Sequence, residues 1–208
     1  MRLLIATTNR HKVREITQLL AGAPIELVTL DEWPALQAPE ETGRTFEENA
    51  RAKAHYYARA TGELTVAEDS GLEIDALGGA PGVESARYGG VETTYRDKFV
   101  LIHDALRSRR EADSAARFVC ALALASPDRI LFETRGTIEG RIAHAPSGAG
   151  GFGYDPIFFY PPYGHTLAEA SPEQKAAVSH RGQAFRALRH FLQLSDSEQR
   201  PSRARDTH

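Results

Sequence analysis

The chain of 208 residues contains one cysteine, one methionine and one tryptophan. A single cysteine excludes an intrachain disulfide and any zinc site built from several thiolates, and it fits a reducing compartment. Cys120 lies in the apolar stretch Phe118, Val119, Cys120, Ala121, Leu122, where a buried, inert thiol is expected rather than a nucleophile. Long apolar runs are missing too. The N-terminal burst occupies residues 1–6 and gives way to Thr7, Thr8 and Asn9, too short for a signal peptide or a membrane span. There is no excess of positive charge, the net charge being −3, so no electrostatic footprint for nucleic acid or anionic membrane exists. A polyanionic ligand needs a local cluster of cations instead. Internal repeats and heptads are absent. The plain expectation is a cytoplasmic protein that binds neither nucleic acid nor membrane.

What is present is enough apolar residue, 41% of the chain, for one well-buried core. The expected organisation is a single domain over residues 1–194 and a disordered tail over 195–208, where apolar periodicity stops. Leu3, Leu4 and Ile5 read as a first strand, and Val13, Ile16, Leu19 and Leu20 then follow helical spacing up to Gly22. A strand, a polar turn and a helix start aim free N–H groups and the positive end of the helix dipole at one point, with Lys12 in the first turn. Phosphate suits that point, although the glycines and Lys-Ser/Thr pair of a Walker A loop are missing and Asn9 reads equally well as a simple helix cap. Ile25 to Leu30 is expected as a strand. Thr45 and Glu48 match a capping box for a helix that Gly62 ends. Glu40 and Glu41 stand in an irregular acidic loop, as metal ligands or as solvated acids.

The most chemically loaded stretch is Glu68, Asp69, Ser70 and Gly71. It is read as the break at the end of a strand that begins near Leu64, the place where α/β sheets expose ligand-binding residues. Successive strand residues face opposite ways, so Glu68 and Asp69 cannot share a pocket, and Asp69 is the better candidate. Leu72 and Ile74 alternating with Glu73 and Asp75 make a further half-buried strand. Thr94 caps a helix to about Arg107. Arg117 to Ala125 and Arg129 to His144 form a hairpin across Ser126, Pro127 and Asp128. Residues 148–153 are glycine-rich and lead into Tyr154, Asp155, Pro156 and an apolar strand. Ser171, Pro172 and Glu173 start a helix carrying Lys175, and Ser179, His180 and Arg181 open a last one. The fold class is mixed α/β.

Taken together, five segments resemble the Ham1-like inosine/xanthosine triphosphate pyrophosphatases: Thr7-Thr8-Asn9-Arg10-His11-Lys12; Glu41-Thr42-Gly43 with Phe46-Glu47-Glu48-Asn49-Ala50; Asp69-Ser70-Gly71-Leu72 through Ser85-Ala86-Arg87-Tyr88; Gly151-Phe152-Gly153-Tyr154-Asp155-Pro156; and Ser179-His180-Arg181-Gly182. The resemblance implies an elongated mixed central sheet with flanking helices in two lobes around a nucleotide cleft, and a homodimer. It implies Mg²⁺-dependent hydrolysis of ITP, dITP and XTP, non-standard purine triphosphates, to the monophosphate and pyrophosphate, which clears the nucleotide pool. By the same resemblance Thr7, Thr8, Asn9, Arg10, His11 and Lys12 hold the phosphates. Asp69 is the general base and a metal ligand with Glu40, and Ser70 touches substrate. Phe152, Gly153, Tyr154, Asp155, Lys175, His180 and Arg181 surround the base and ribose. Two departures stand out: Arg10 and His11 are bulkier than residues many relatives carry there, and Glu68 replaces a frequent aspartate, which leaves open which carboxylate meets metal. The chemistry is coherent, because Arg181 and His180 can donate to a 6-oxo group and cannot pair adenine's amino group.

Overall fold

In the computed structural model, residues 1–111 and 113–199 are described. Seven strands form one sheet in the order β2-β1-β3-β4-β5-β6-β7. They are β1 (Arg2–Ile5), β2 (Glu26–Thr29), β3 (Leu64–Ile74), β4 (Ala115–Ala125), β5 (Ile130–Ile142), β6 (Phe158–Tyr160) and β7 (His165–Thr166). The helices are α1 (Arg10–Leu19), α2 (Phe46–Thr61), α3 (Tyr95–Arg109), α4 (Pro172–Val178) and α5 (His180–Gln199). β2, β1 and β3 run parallel, joined through α1 and α2, and the remaining pairings are antiparallel. The expected mixed α/β class and the hairpin at Ser126 are found.

Alternation along the strands sorts the core into layers. Leu4, Ala6, Ala67, Ala121, Ala123 and Ala125 face α2, whose Ala50, Ala54 and Ala58 meet them; the small side chains on both sides let the helix lie close. On the other face, Leu3, Ile5, Val66, Cys120, Leu122 and Leu124 pack against α1 and α5 through Ile16, Leu20, Phe185 and Leu188. Farther along that face, Leu72, Ile74, Phe118 and Ile138 pack against Phe99, Ile102 and Leu106 of α3. Helices thus cover the two ends of one face and leave a gap above the middle of β3. These are the two lobes the resemblance implied.

The caps explain where the helices start. Asn9 Oδ1 accepts from the His11 and Lys12 amides, Thr45 Oγ1 from Glu48, Thr94 Oγ1 from Asp97, and Ser171 with Gln174 completes a capping box. At Thr45 the box is half formed, since the Glu48 carboxylate reaches the Arg44 amide. Gly62, with φ of 75°, closes α2 as expected, whereas α1 ends at Leu19 with Leu20 as its cap, before it reaches Gly22.

One expectation is corrected. β3 does not break at Glu68 but runs unbroken for eleven residues, because it is paired to β4 from Thr65↔Ala125 through Ile74↔Ala116. Gly71 serves close approach rather than a turn: a Cβ there would stand 2.3 Å from Ser85 Oγ. The last helix is described to Gln199, and residues 200–208 of the expected tail lie outside the described residues. Among the described residues no helix is long and apolar enough to cross a membrane.

Gly136 of β5 sits directly beneath the start of α5, where a Cβ would lie 2.1 Å from the His180 carbonyl oxygen and 3.0 Å from the Ala184 nitrogen. Backbone atoms cannot step aside as a side chain would. Gly136→Ala is therefore expected to lower stability by about 1 to 3 kcal/mol, read as a shift of the urea midpoint. An unchanged midpoint would show that α5 lifts from the sheet freely.

Candidate active site

β1 stops where β3 continues, and that difference opens the site. Ile5 is the last residue of β1 paired to β3, opposite Val66. Beyond it no further strand pairs with that edge of β3 among the described residues; an isolated bridge joins Glu73 and Pro81, and the Leu72 amide donates to Ser85 Oγ at 2.9 Å. The turn after β1 and the starts of α1 and α5 converge on this edge. They enclose a cleft of about 310 Å³ lined by Thr7, Thr8, Asn9, Lys12, Asp69, Ser70, Phe152, Gly153, Tyr154, Asp155, Lys175, His180 and Arg181. Of the residues expected there, Arg10, His11 and Glu40 do not line it. Arg10 and His11 follow the Asn9 cap onto the outer surface of α1. Glu40 is exposed, and its neighbour Glu41 takes the inward place, drawn there by an ion pair with Lys53 and by the Arg87 guanidinium on the Glu41 carbonyl.

Glu68 and Asp69 do face opposite sides of the sheet. Asp69 Oδ2 accepts from Asn49 Nδ2 at 2.8 Å, and Oδ1 accepts from the Ser70 amide at 2.9 Å. Asn49 is itself oriented, its Oδ1 taking the Gly43 amide at 2.7 Å. Burial raises the Asp69 carboxyl above its usual range, against the pull of Asn49 and Lys53, with Glu41 adding to the rise. This is an oriented carboxylate with a proton affinity suited to a base. Asn49 escaped the sequence reading as a site residue, although a polar amide in the apolar stripe Phe46, Ala50, Ala54 of α2 was its visible signal.

Glu68 is buried on the other face and does not line the cleft. Its Oε1 accepts from Arg181 Nε at 2.9 Å and lies 3.2 Å from Lys12 Nζ, and its Oε2 accepts from Arg181 Nη2 at 3.3 Å. Burial opposes its ionisation, but Arg181 and Lys12 outweigh that and hold the carboxyl well below its usual value. Cys120 Sγ donates to the same carboxylate, and burial beside it pushes the thiol far up, so Cys120 is inert as expected. Arg181 Nη1 also binds Glu15 at 2.8 Å, and Nη2 binds Ser70 Oγ at 3.1 Å. Lys175 bridges Glu15 at 2.9 Å and Asp155 at 2.7 Å. Glu15, from α1, is a second residue the sequence reading missed.

The aromatic wall divides its labour. Tyr154 is buried, its hydroxyl bonded to the Ser85 carbonyl at 2.8 Å and its ring edge-on to Tyr95. Phe152 is only half-buried and presents its ring to Lys175 and Arg181, 4.6 and 5.5 Å from its centroid. Asp155 takes the Phe152 amide at 2.8 Å; burial raises its carboxyl against the lowering effect of Lys175. His180 stacks on Phe118 at 4.9 Å, and burial, reinforced by Arg181, keeps the imidazole neutral. Its Nδ1 is buried with no hydrogen-bond partner among the described residues.

Removing one member of a buried ion pair strands the other. Glu68→Gln is expected to cost about 3 kcal/mol, the low end of that class because Glu15 still faces Arg181. The depressed folded-state pKa puts that contribution in force above the ordinary carboxylate range, and it is lost as pH falls through the folded value. Urea titrations at neutral and acidic pH check both points: the difference between wild type and variant shrinks on acidification.

A family model described as the Ham1 family matches residues 3–191. The dITP/XTP pyrophosphatase of Thermus thermophilus is 50% identical over 188 residues, 90% of each chain. That of Streptomyces avermitilis is 46% identical over 189 residues, 90% of this chain and 94% of its own. Among solved structures, a Ham1 protein from Coxiella burnetii superposes with a TM-score of 0.87 at 40% identity, covering 93% of this chain and 99% of the other. A dITP/XTP pyrophosphatase from Mycobacterium abscessus gives 0.72 at 41% identity, covering 90% and 98%. A cleft at the edge of β3 with its paired carboxylates, and a family match over nearly the whole chain, lead to one conclusion: this chain belongs to the Ham1 family.

Proposed function

We propose that this chain hydrolyses ITP, dITP and XTP to the nucleoside monophosphate and pyrophosphate. The observation that carries the reading is the placement of Asp69, oriented by Asn49, between a cationic helix start and a set of base-facing donors. The names of the relatives at 46–50% identity support it. Triphosphate oxygens meet the start of α1, where Lys12 stands at the cleft and the helix dipole favours anions. Asp69 holds a water by one carboxylate oxygen and takes its proton as the oxygen attacks phosphorus. The bond between the α- and β-phosphoryl groups breaks, and pyrophosphate leaves with the electron pair.

Among the described residues no three His, Cys, Asp or Glu side chains form a ready metal cage. Asp69 and Glu41 both line the cleft, and one or two carboxylates completed by phosphate oxygens and water is the usual way Mg²⁺ is held. Those two residues fit the ion better than the pair Asp69 and Glu40. Bound there, Mg²⁺ supplies neutralisation of phosphate charge.

Base selection follows from a donor count. Arg181 has five N–H groups, and four are engaged by Glu68, Glu15 and Ser70. The remaining Nη1 hydrogen and the neutral His180 meet a 6-oxo group. Against adenine's amino group a buried donor goes unpaired, at about 1 to 3 kcal/mol. The family resemblance adds a homodimer acting in the cytoplasm, with residues 1–194 as the single domain.

Pyrophosphate release from ITP, dITP, XTP, GTP, ATP and dTTP, with and without Mg²⁺, tests the reading. Metal-dependent turnover concentrated on the first three is expected, with Asp69→Asn lowering kcat by about 10²- to 10⁴-fold; comparable ATP or dTTP turnover contradicts it. A pH series adds a second check. In the metal-free protein the Asp69 carboxyl, followed by NMR, is expected to titrate above the ordinary aspartate range, and Asn49→Ala moves that midpoint higher still.

A further inference from the structure

We infer that His11 is a positioning residue that links the phosphate-binding turn to the base-binding wall by stacking on Phe152, an inference that rests on the proposed function. The imidazole of His11 lies 5.3 Å from the Phe152 ring, centroid to centroid, with the planes 16° apart. His11 is the second residue of α1, and its amide is held by the Asn9 cap at 3.0 Å. Its ring does not enter the cleft. It lines a second cavity of about 330 Å³ with Arg14, Glu15, Gln18, Gly151 and Ala176. Phe152 and Lys175 line both cavities, whereas Arg181 lines the cleft alone. The Phe152 ring is thus the partition between the two cavities, with His11 supporting it from the side away from Asp69.

Phe152 needs such support. It stands between Gly151 and Gly153, both in the left-handed region with φ of 65° and 68°, in a loop where its backbone is tied to Asp155 alone, the amide to the carboxylate and the carbonyl to the Asp155 amide. The ring's orientation is therefore set by what touches it: Lys175 and Arg181 lie over it at 4.6 and 5.5 Å, and the one ring-on-ring stack among the described residues comes from the turn assigned to the phosphates. Phosphate seated on that turn fixes the first residues of α1, His11 among them, and so fixes the surface on which the purine lies. An imidazole can do this by its flat face alone. A phosphate contact would instead need a ring N–H, and the ring's position outside the cleft argues against one.

The test uses the full chain as wild type, His11→Ala and His11→Phe. ITP affinity is measured by calorimetry without metal, inorganic tripolyphosphate affinity in the same way, and turnover with Mg²⁺. His11→Ala is expected to weaken ITP binding about 2- to 10-fold, the range of one aromatic stacking contact, with tripolyphosphate binding unchanged and kcat lowered less than affinity. His11→Phe, which keeps the flat face and loses both ring nitrogens, is expected to restore ITP binding. Equal damage in both variants, parallel losses for tripolyphosphate, or wild-type affinity in His11→Ala each overturns the inference. Wild-type protein that binds ITP without turning it over contradicts the proposed activity while the affinities still decide the role of His11; no ITP binding at all contradicts both.

Discussion

The buried pair between Glu68 and Arg181 is the interaction on which the rest of the site depends. Both side chains are almost wholly withdrawn from water, and each alone would be strongly unfavourable there. The fork of Arg181 matches the two carboxylate oxygens of Glu68, and Glu15 and Ser70 take further N–H groups. Lys12 and Lys175 extend the cluster to Glu68, Glu15 and Asp155, so that three cations answer three carboxylates. The arrangement locks Lys12 of α1 and Arg181 of α5 onto Glu68 of β3, with Lys175 of α4 tied to Arg181 through Glu15, before any ligand arrives. Their orientation needs little rearrangement on binding, which is the condition under which polar groups contribute most to selectivity and rate.

The sheet supplies the place for that cluster. Because β1 stops opposite Val66 while β3 runs on to Ile74, one strand carries core, ion-pair hub, proposed base and proposed ligand contact in succession. Val66 packs in the core, Glu68 anchors Arg181, Asp69 turns to the opposite face toward Asn49, and Ser70 returns to Arg181. Period-two alternation makes this separation automatic. Two adjacent carboxylates end with opposite ionisation tendencies, one held far down by cations and one raised by burial. The electrostatic anchor and the proposed base are thus kept apart although they are sequence neighbours.

Much of this was legible in the sequence wherever a short-range rule governs. Alternation separated Asp69 from Glu68, the caps at Asn9, Thr45, Thr94 and Ser171 marked helix starts, and apolar neighbours marked Cys120 as core. The phosphate turn was visible as a helix terminus, but its meaning came from the family resemblance. What stayed hidden depends on distant pairing. Nothing near Arg181 announces Glu15, 166 residues away, and nothing near Asp69 announces Asn49. Ser70 and Gly71 read as a turn because local propensity cannot register ten partners on β4 that carry the strand through. Which of Glu40 and Glu41 faces the cleft is set by Lys53 and Arg87, contacts no loop sequence displays.

Arg181 as the base-reading donor, held in place by Glu68, is most directly examined with Arg181→Lys, because lysine keeps the charge but lacks the planar fork. The quantity to measure is kcat/KM for ITP and for ATP, side by side, in wild type and variant. Loss of orientation and of the donor to the 6-oxo group should collapse the ITP-to-ATP ratio, with ITP turnover falling far more than ATP turnover. An equal loss on both substrates, leaving the ratio at its wild-type value, would show that Arg181 contributes charge or stability alone and that the base is read elsewhere.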